Sequence, residues 1–265
     1  GGSTNLVLHL PAMARAAGVI LNPQDFANIS EIVPLLAKVY PNGLADVNHF
    51  HAAGGLPFII GQLLDADLLH EDVITVMGKG LSGYAAQAML SGDEVTYVTA
   101  PRKSLNDKIV RCVAEPFAAS GGLKNLVGNI GSAVIKVSAV AENKRFIEAP
   151  AAVFRNQEAV KEAFQAGKLN RDVIVVVRYQ GPSANGMPEL HNLTPFLSVL
   201  SDRGFKVALV TDGRMSGASG KVLAAIHLSP EAAANGAIAK IQDGDILRLD
   251  ANLGKLENLA HNWLA

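Results

Sequence analysis

A chain of 265 residues, 49% of them hydrophobic, holds one large or two ordinary domains with apolar side chains enough for a packed core. Its 23 basic and 24 acidic residues leave a formal net charge of -1, which gives no whole-chain reason to expect nucleic acid or an anionic membrane as partner and leaves small molecules as the default ligand class. No apolar run reaches the roughly 20 residues of a membrane span. No charged-then-apolar opening marks a secretory signal, and the single Cys112 excludes an internal disulfide framework and points to a reducing cytoplasm.

The opening GGSTN has no initiator Met and runs straight into apolar residues, so it reads as the middle of a domain and the chain as a fragment. From 6 to 70 the apolar positions recur at helical spacing, in LVLHLPAMARAAGV, in ISEIVPLLAKVY and over 54–69. Pro23 with Asp25 marks a helix start, and Pro41-Asn42-Gly43 a turn. Between 71 and 120 the signal weakens into short pieces, VITVM and EVTYVTA, with a brief helix candidate YAAQAML, and this stretch reads as a linker zone. Beyond Gly121-Gly122, AVIKVSAV, APAAVF, DVIVVVRYQ, FKVALVTDG, AAIHL and DILRLD predict strands, with helices at EAVKEAFQAG and 193–202. The continuous run VIVVV implies a strand covered on both faces, hence a barrel or closed sheet with flanking helices in an α/β chain.

Several familiar motifs almost form. Gly78 to Gly83 fits G-x-G-x-x-G after a strand-like run, but no long βαβ unit surrounds it. SGASGKV lacks the first glycine and the final hydroxyl of a P-loop, and Lys221 stands where a hydrolase elbow needs glycine. His49 and His51 are two apart, which turns them to different sides of a helix, and no second His/Cys cluster joins them. Cys112 lies among apolar neighbours and reads as a packed thiol.

Three constellations survive. Gly2, Ser3, Thr4 and Asn5 precede a helix, where free amides suit an anion or an ordinary N-cap. Glu189 sits in a Gly/Pro loop, either to ligate a hard cation such as Mg2+ or to cap the next segment. Ser216 follows a strand in TDGRMSG beside Arg214, as a proton acceptor if something lowers its pKa or as part of a tight polar turn.

GGSTNLVLHLPAMARAAGV, GPSANGMPEL, TDGRMSGASGK and GGLKNLVGNIGSAVIKVSAV together resemble the iron-sulfur sugar-acid and dihydroxy-acid dehydratases, in order and over essentially the whole chain. VYPNGLADVNHFHAAGG and the long stretch RYQGPSANGMPELHNLTPFLSVLSDRGFK follow the branch that acts on 6-phosphogluconate. The resemblance implies loss of water from that sugar-acid phosphate to give 2-keto-3-deoxy-6-phosphogluconate, a step of the Entner-Doudoroff pathway. It implies an iron-sulfur cluster acting as Lewis acid on the departing hydroxyl and a serine that removes the proton beside the carboxylate. Matched motif to motif, Ser216 takes the place of the proton acceptor and Glu189 that of a carboxylate that ligates Mg2+ in dihydroxy-acid dehydratases; the hydroxyls and glycines of Gly2, Ser3, Thr4, Asn5 and Ser219 make these the candidate substrate contacts. The family's cluster-binding cysteines belong upstream of GGSTN, and Cys112 matches none of them. The chain is therefore expected to be a carboxy-terminal portion, inactive alone and homodimeric as the longer cytoplasmic enzyme. Residues 1–120 would be the helical end of a first domain plus linker, and 121–265 a swivelling β/β/α barrel-like domain. Two readings from other classes stand beside it: a nucleotide-binding oxidoreductase resting on the Gly78 loop, and a non-catalytic binding or assembly module.

Overall fold

The computed structural model describes residues 3–40, 42–216 and 222–260. The chain is a mixed α/β protein and divides into two compact units, one formed by Gly1–Ser30 with Gly122–Ala265 and the other by Glu31–Gly121. The edge at 121 lies beside the break that the glycine pair suggests. The edge after Ser30 leaves no mark in periodicity, because the contacts that join the first helices to the barrel are long-range.

The first helix, α1 (Leu6–Ala16), lays Val7 on Leu123 and Val134 of the barrel wall, with Phe26 alongside. The second, α2 (Pro23–Ile32), opens on Pro23, whose fixed φ suits a first helical position. Asn22 caps it by accepting from the amides of Gln24 and Asp25, while the Asp25 carboxylate accepts from the Asn22 amide. The helical reading of ISEIVPLLAKVY fails beyond Ile32. Pro34 has no amide to donate and disfavours helical backbone at Val33, so Leu35, Ala37 and Val39 instead make isolated bridges to Ala118, Val110 and Ala45.

The smaller unit holds α3 (Val47–Ala52) and α4 (Gly55–Asp65), whose Ala53 and Phe58 pack with Val110 as its core. His49 takes part in a capping box with Asp46, the plain helix-polar role that its spacing allows. Two hairpins follow, β1 (Ile74–Thr75) with β2 (Gly78–Lys79), and β3 (Ala86–Ser91) with β4 (Glu94–Thr99). YAAQAML is thus mainly strand, not helix: Gly92, at φ +64°, closes a two-residue loop that sets Ser91 against Glu94 and propagates six paired positions. Gly78 opens a two-residue ladder followed by a single 3-10 turn, Ser82–Ala85, so the glycine motif meets no helix of the kind that would hold a dinucleotide phosphate.

The larger unit is a closed barrel of eight strands: β5 (Leu123–Gly128), β6 (Gly131–Lys136), β7 (Phe146–Phe154), β8 (Val173–Val177), β9 (Val207–Thr211), β10 (Leu223–Ser229), β11 (Ile246–Asp250) and β12 (Lys255–Asn258). Around the wall they run β10-β6-β5-β12-β11-β7-β8-β9, with β7 to β10 mutually parallel. All five residues of β8 are buried, which explains the unbroken VIVVV run. Ile174 and Val176 face the barrel interior, while Val173, Val175 and Val177 face a layer formed by α5 (Gln157–Gln165) and α7 (Leu193–Asp202). The Asn156 side chain caps α5 by accepting from the Ala159 amide at 2.9 Å. No described helix is long and apolar enough to cross a membrane.

Candidate functional site

Parallel neighbours release their following loops at the same end of a sheet, and Val177 of β8 stands opposite Thr211 of β9. The loops that carry Glu189 and Ser216 therefore start side by side. Asp212, 1% exposed, locks them at the root: Oδ1 accepts from the Gln180 amide at 2.9 Å, and Oδ2 from the amides of Tyr179 at 3.1 Å and Ala232 at 2.9 Å. The next residue must be glycine, since a Cβ on Gly213 would lie 2.7 Å from Gln180 Cβ and 2.9 Å from Leu190 Cδ1.

After the short helix α6 (Pro182–Asn185), Gly186 and Met187 both adopt left-handed backbone, at φ +66° and +55°, and turn the chain back so that Glu189 bridges Arg214 in parallel register. The Ser216 hydroxyl donates to Glu189 Oε2 at 2.6 Å and its amide donates to Oε1 at 2.9 Å. The His191 amide adds 3.0 Å to Oε1, and Arg214 Nη1 adds 3.1 Å to Oε2 while its Nε donates to the Met187 carbonyl. Burial pushes the Glu189 carboxyl up, but the Ser216 hydroxyl and amide, the Arg214 charge and the His191 amide outweigh it and hold the group below its usual range. His191 closes the ring of contacts by donating from Nδ1 to the Ser216 carbonyl at 2.9 Å.

The residues singled out in the two loops are thus joined, side chain to side chain. Ser3, Thr4 and Asn5 make no described contact with them. The Ser3 hydroxyl accepts from the Asn5 amide at 3.2 Å, Thr4 is 4% exposed, and Asn5 precedes α1 without a side-chain capping bond. Gly2 and Ser219 lie outside the described residues.

Sequence reasoning passed over His191 and His227. His191 carries a signal only in hindsight, two residues after Glu189. His227 lies in β10 at φ +55°, where the register against β6 shifts between Ile226 and Ser229. Leu223, Ala225 and Leu228 point into the barrel, so the irregularity turns His227 out of the inward series. Its amide donates to the Gly213 carbonyl at 2.9 Å, and both ring nitrogens are buried without a partner among the described residues. Burial first, then the charges of Arg214 and His9, push its pKa down to about 4. His227 therefore lies within the fields of both the Ser216 loop and α1.

Among the described residues no group of three or more His, Cys, Asp or Glu side chains is placed to hold a metal ion. Cys112 is half-buried against the apolar core of the smaller unit. These residues do not form a ligand set for an iron-sulfur cluster. Nor do they form one for Mg2+: each Glu189 oxygen already takes two donors, and Arg214 supplies the positive charge at Oε2.

The family model for the dihydroxy-acid/6-phosphogluconate dehydratase C-terminal region matches residues 108–262, and that for the N-terminal region matches residues 1–84. The phosphogluconate dehydratase of Rhizobium meliloti (strain 1021) is 59% identical over 263 residues, covering 99% of this chain and 43% of the relative. That of Escherichia coli (strain K12) is 56% identical over 256 residues, covering 97% of this chain and 42% of the relative. A dihydroxy-acid dehydratase of Koribacter versatilis is 38% identical over 275 residues, covering 100% of this chain and 45% of the relative. The chain spans less than half the length of these relatives.

Proposed function

This chain belongs to the dihydroxy-acid/6-phosphogluconate dehydratase family, and from that membership we propose that it is the carboxy-terminal part of a longer hydro-lyase that removes water from 6-phosphogluconate to give 2-keto-3-deoxy-6-phosphogluconate. The higher identity to phosphogluconate dehydratases than to the dihydroxy-acid enzyme favours this substrate. The N-terminal match over 1–84 supports reading the early helices as the end of a first domain, and the closed barrel supports reading the rest as the swivelling β/β/α domain. Ligands for the implied iron-sulfur cluster would come from the remainder of the longer enzyme.

The observation that carries the reading is the 2.6 Å contact between Ser216 Oγ and Glu189 Oε2. A neutral serine is a feeble base, and a free alkoxide beside an ionised carboxylate would suffer like-charge repulsion. A relay avoids both problems: Oγ takes the proton from the carbon beside the substrate carboxylate as its own proton passes to Oε2. Arg214 balances the charge of Glu189 before the transfer, and His191 fixes the Ser216 backbone.

The test is formation of the 2-keto product from 6-phosphogluconate. The longer enzyme should turn over, Ser216→Ala should abolish turnover without unfolding it, and this chain alone, after anaerobic cluster reconstitution, should be inactive. A longer enzyme that leaves 6-phosphogluconate untouched removes the substrate assignment, and turnover by the chain alone removes the division of labour.

A further inference from the structure

Beside the Glu189 loop lies a cavity of about 660 Å3, within the usual size of a small-molecule site. Pro188 and Asn192, on either side of Glu189 in the chain, line it, as do Gln157 at the start of α5, Gln180 after β8 and Asn185 at the end of α6. The Glu189 carboxylate goes instead to Ser216 and Arg214, neither of which borders the cavity.

Two glutamines in its wall are used differently. Gln180 is 3% exposed and spent at both ends: Nε2 donates to the carbonyls of Arg155 and Tyr179, and Oε1 accepts from Asn185 Nδ2 at 3.2 Å. Gln157 is spent at one end only. Its Nε2 donates to the Glu189 carbonyl at 3.0 Å, whereas its Oε1 is buried and has no partner among the described residues. An unpaired buried oxygen has lost its hydration and received nothing in return, so its presence calls for an explanation. A donor held in the adjoining cavity supplies one. Asn192, at the N-cap position of α7, makes no side-chain capping bond and adds a further amide to the wall.

The lining selects the chemistry of the occupant. Its cation, Lys161, is already paired with Glu158 at 2.9 Å, so a carboxylate or phosphate would find no free charge and would set its oxygens against the Gln157 acceptor. The sugar-acid phosphate proposed above, anionic at both ends, is therefore not the occupant. No strand residue borders the cavity, which leaves an extended peptide without a ladder to join. Side-chain amides both donate and accept, as hydroxyl groups do, and Pro188, Pro195 and Phe196 offer apolar surface to the C–H face of a ring.

We propose that this cavity is a second ligand site, for a neutral sugar with a hydroxyl that donates to Gln157 Oε1. A donor there polarises the amide and strengthens the bond from its Nε2 to the Glu189 carbonyl, so occupancy is felt at the residue that holds Ser216. This effect on turnover rests on the role proposed for Glu189; the site itself does not.

The test titrates the longer enzyme with D-glucose and maltose, and separately with gluconate and inorganic phosphate, in equilibrium measurements that need no turnover. The sugars should bind. Gln157→Met, which keeps the length of the side chain but not its acceptor, should weaken them about 3- to 10-fold, as loss of one neutral hydrogen bond does, without changing the affinity for phosphate. If Gln157→Met does not fold, Phe196→Leu, which keeps an apolar side chain on Phe164 but removes the flat ring, carries the same comparison. No binding of either sugar, or affinities unmoved by both substitutions, overturns the site. Loss of phosphate or gluconate binding on Lys161→Met, with the sugars unaffected, shows an anion site and overturns it too. For the link to Glu189, bound sugar should raise kcat for 6-phosphogluconate in the unsubstituted enzyme and not in Gln157→Met; an equal kcat with and without sugar overturns the link. Sugar binding through Gln157 in an enzyme that does not dehydrate 6-phosphogluconate would sink the activity reading and leave this site standing.

Discussion

Glu189 holds Ser216 by two atoms at once, its Oε2 accepting from the hydroxyl at 2.6 Å and its Oε1 from the amide at 2.9 Å. The pair is about one-third exposed on the Glu189 side, so the hydroxyl bond is neither fully screened nor fully dry. A hydrogen bond to a charged group of this kind contributes about 1.5–3 kcal/mol. Ser216→Ala and Glu189→Gln, alone and combined, should therefore show a coupling of about 1 kcal/mol or more in a double-mutant cycle of chemical denaturation. Additive effects would mean that the contact has no energetic weight, and the proton relay would lose its support.

His227 makes stability fall on mild acidification. Its folded pKa, about 4, lies below the ordinary 6.5. Between those values the unfolded chain binds a proton that the folded chain refuses, so stability declines as pH drops from about 6.5 towards about 4, by at most about 3 kcal/mol. His227→Asn, which tolerates positive φ and does not titrate, should flatten that part of the pH profile of unfolding. A slope unchanged by the substitution would show that the imidazole protonates in the folded state.

Gly213→Ala should cost about 1–3 kcal/mol, the usual range for forcing an atom into packed space, because the new Cβ would meet Gln180 Cβ and Leu190 Cδ1 inside contact distance. Leu190 follows Glu189, so the displacement should also spread the two loops and lower turnover of the longer enzyme. Full activity with an unchanged denaturation midpoint would show that the loops yield without loss.

Much of the barrel was legible because its signals are local. VIVVV, FKVALVTDG and the amphipathic EAVKEAFQAG behave in the fold as their patterns require, and the Gly/Pro setting of Glu189 and the Gly-flanked Ser216 marked loops at strand ends. YAAQAML misled because alanine and leucine favour helix in isolation, while a hairpin partner eight residues on decides the matter. The stretch after Ile32 misled because one proline outweighs an otherwise helical spacing. His227 carried no signal at all. A polar residue inside a strand looks solvent-facing until the layers that cover it, built from residues far away in the chain, are known.

Asp212 illustrates how a buried charge can organise a site without touching a ligand. Placed at the end of β9, it accepts three backbone amides on its two oxygens, two from the segment after β8 and one from the segment after β10, so it fixes where the Glu189 and Ser216 loops begin. Asp212→Asn keeps the shape but offers one acceptor oxygen and points an NH2 group at amides that also donate. At least one buried amide is left without an acceptor and the charge that strengthens the others is gone, a loss of about 3 kcal/mol or more. The expected result is a lower denaturation midpoint together with loss of activity in the longer enzyme. If the asparagine variant unfolds at the same denaturant concentration as the parent, Asp212 is not the clamp that aligns the two loops.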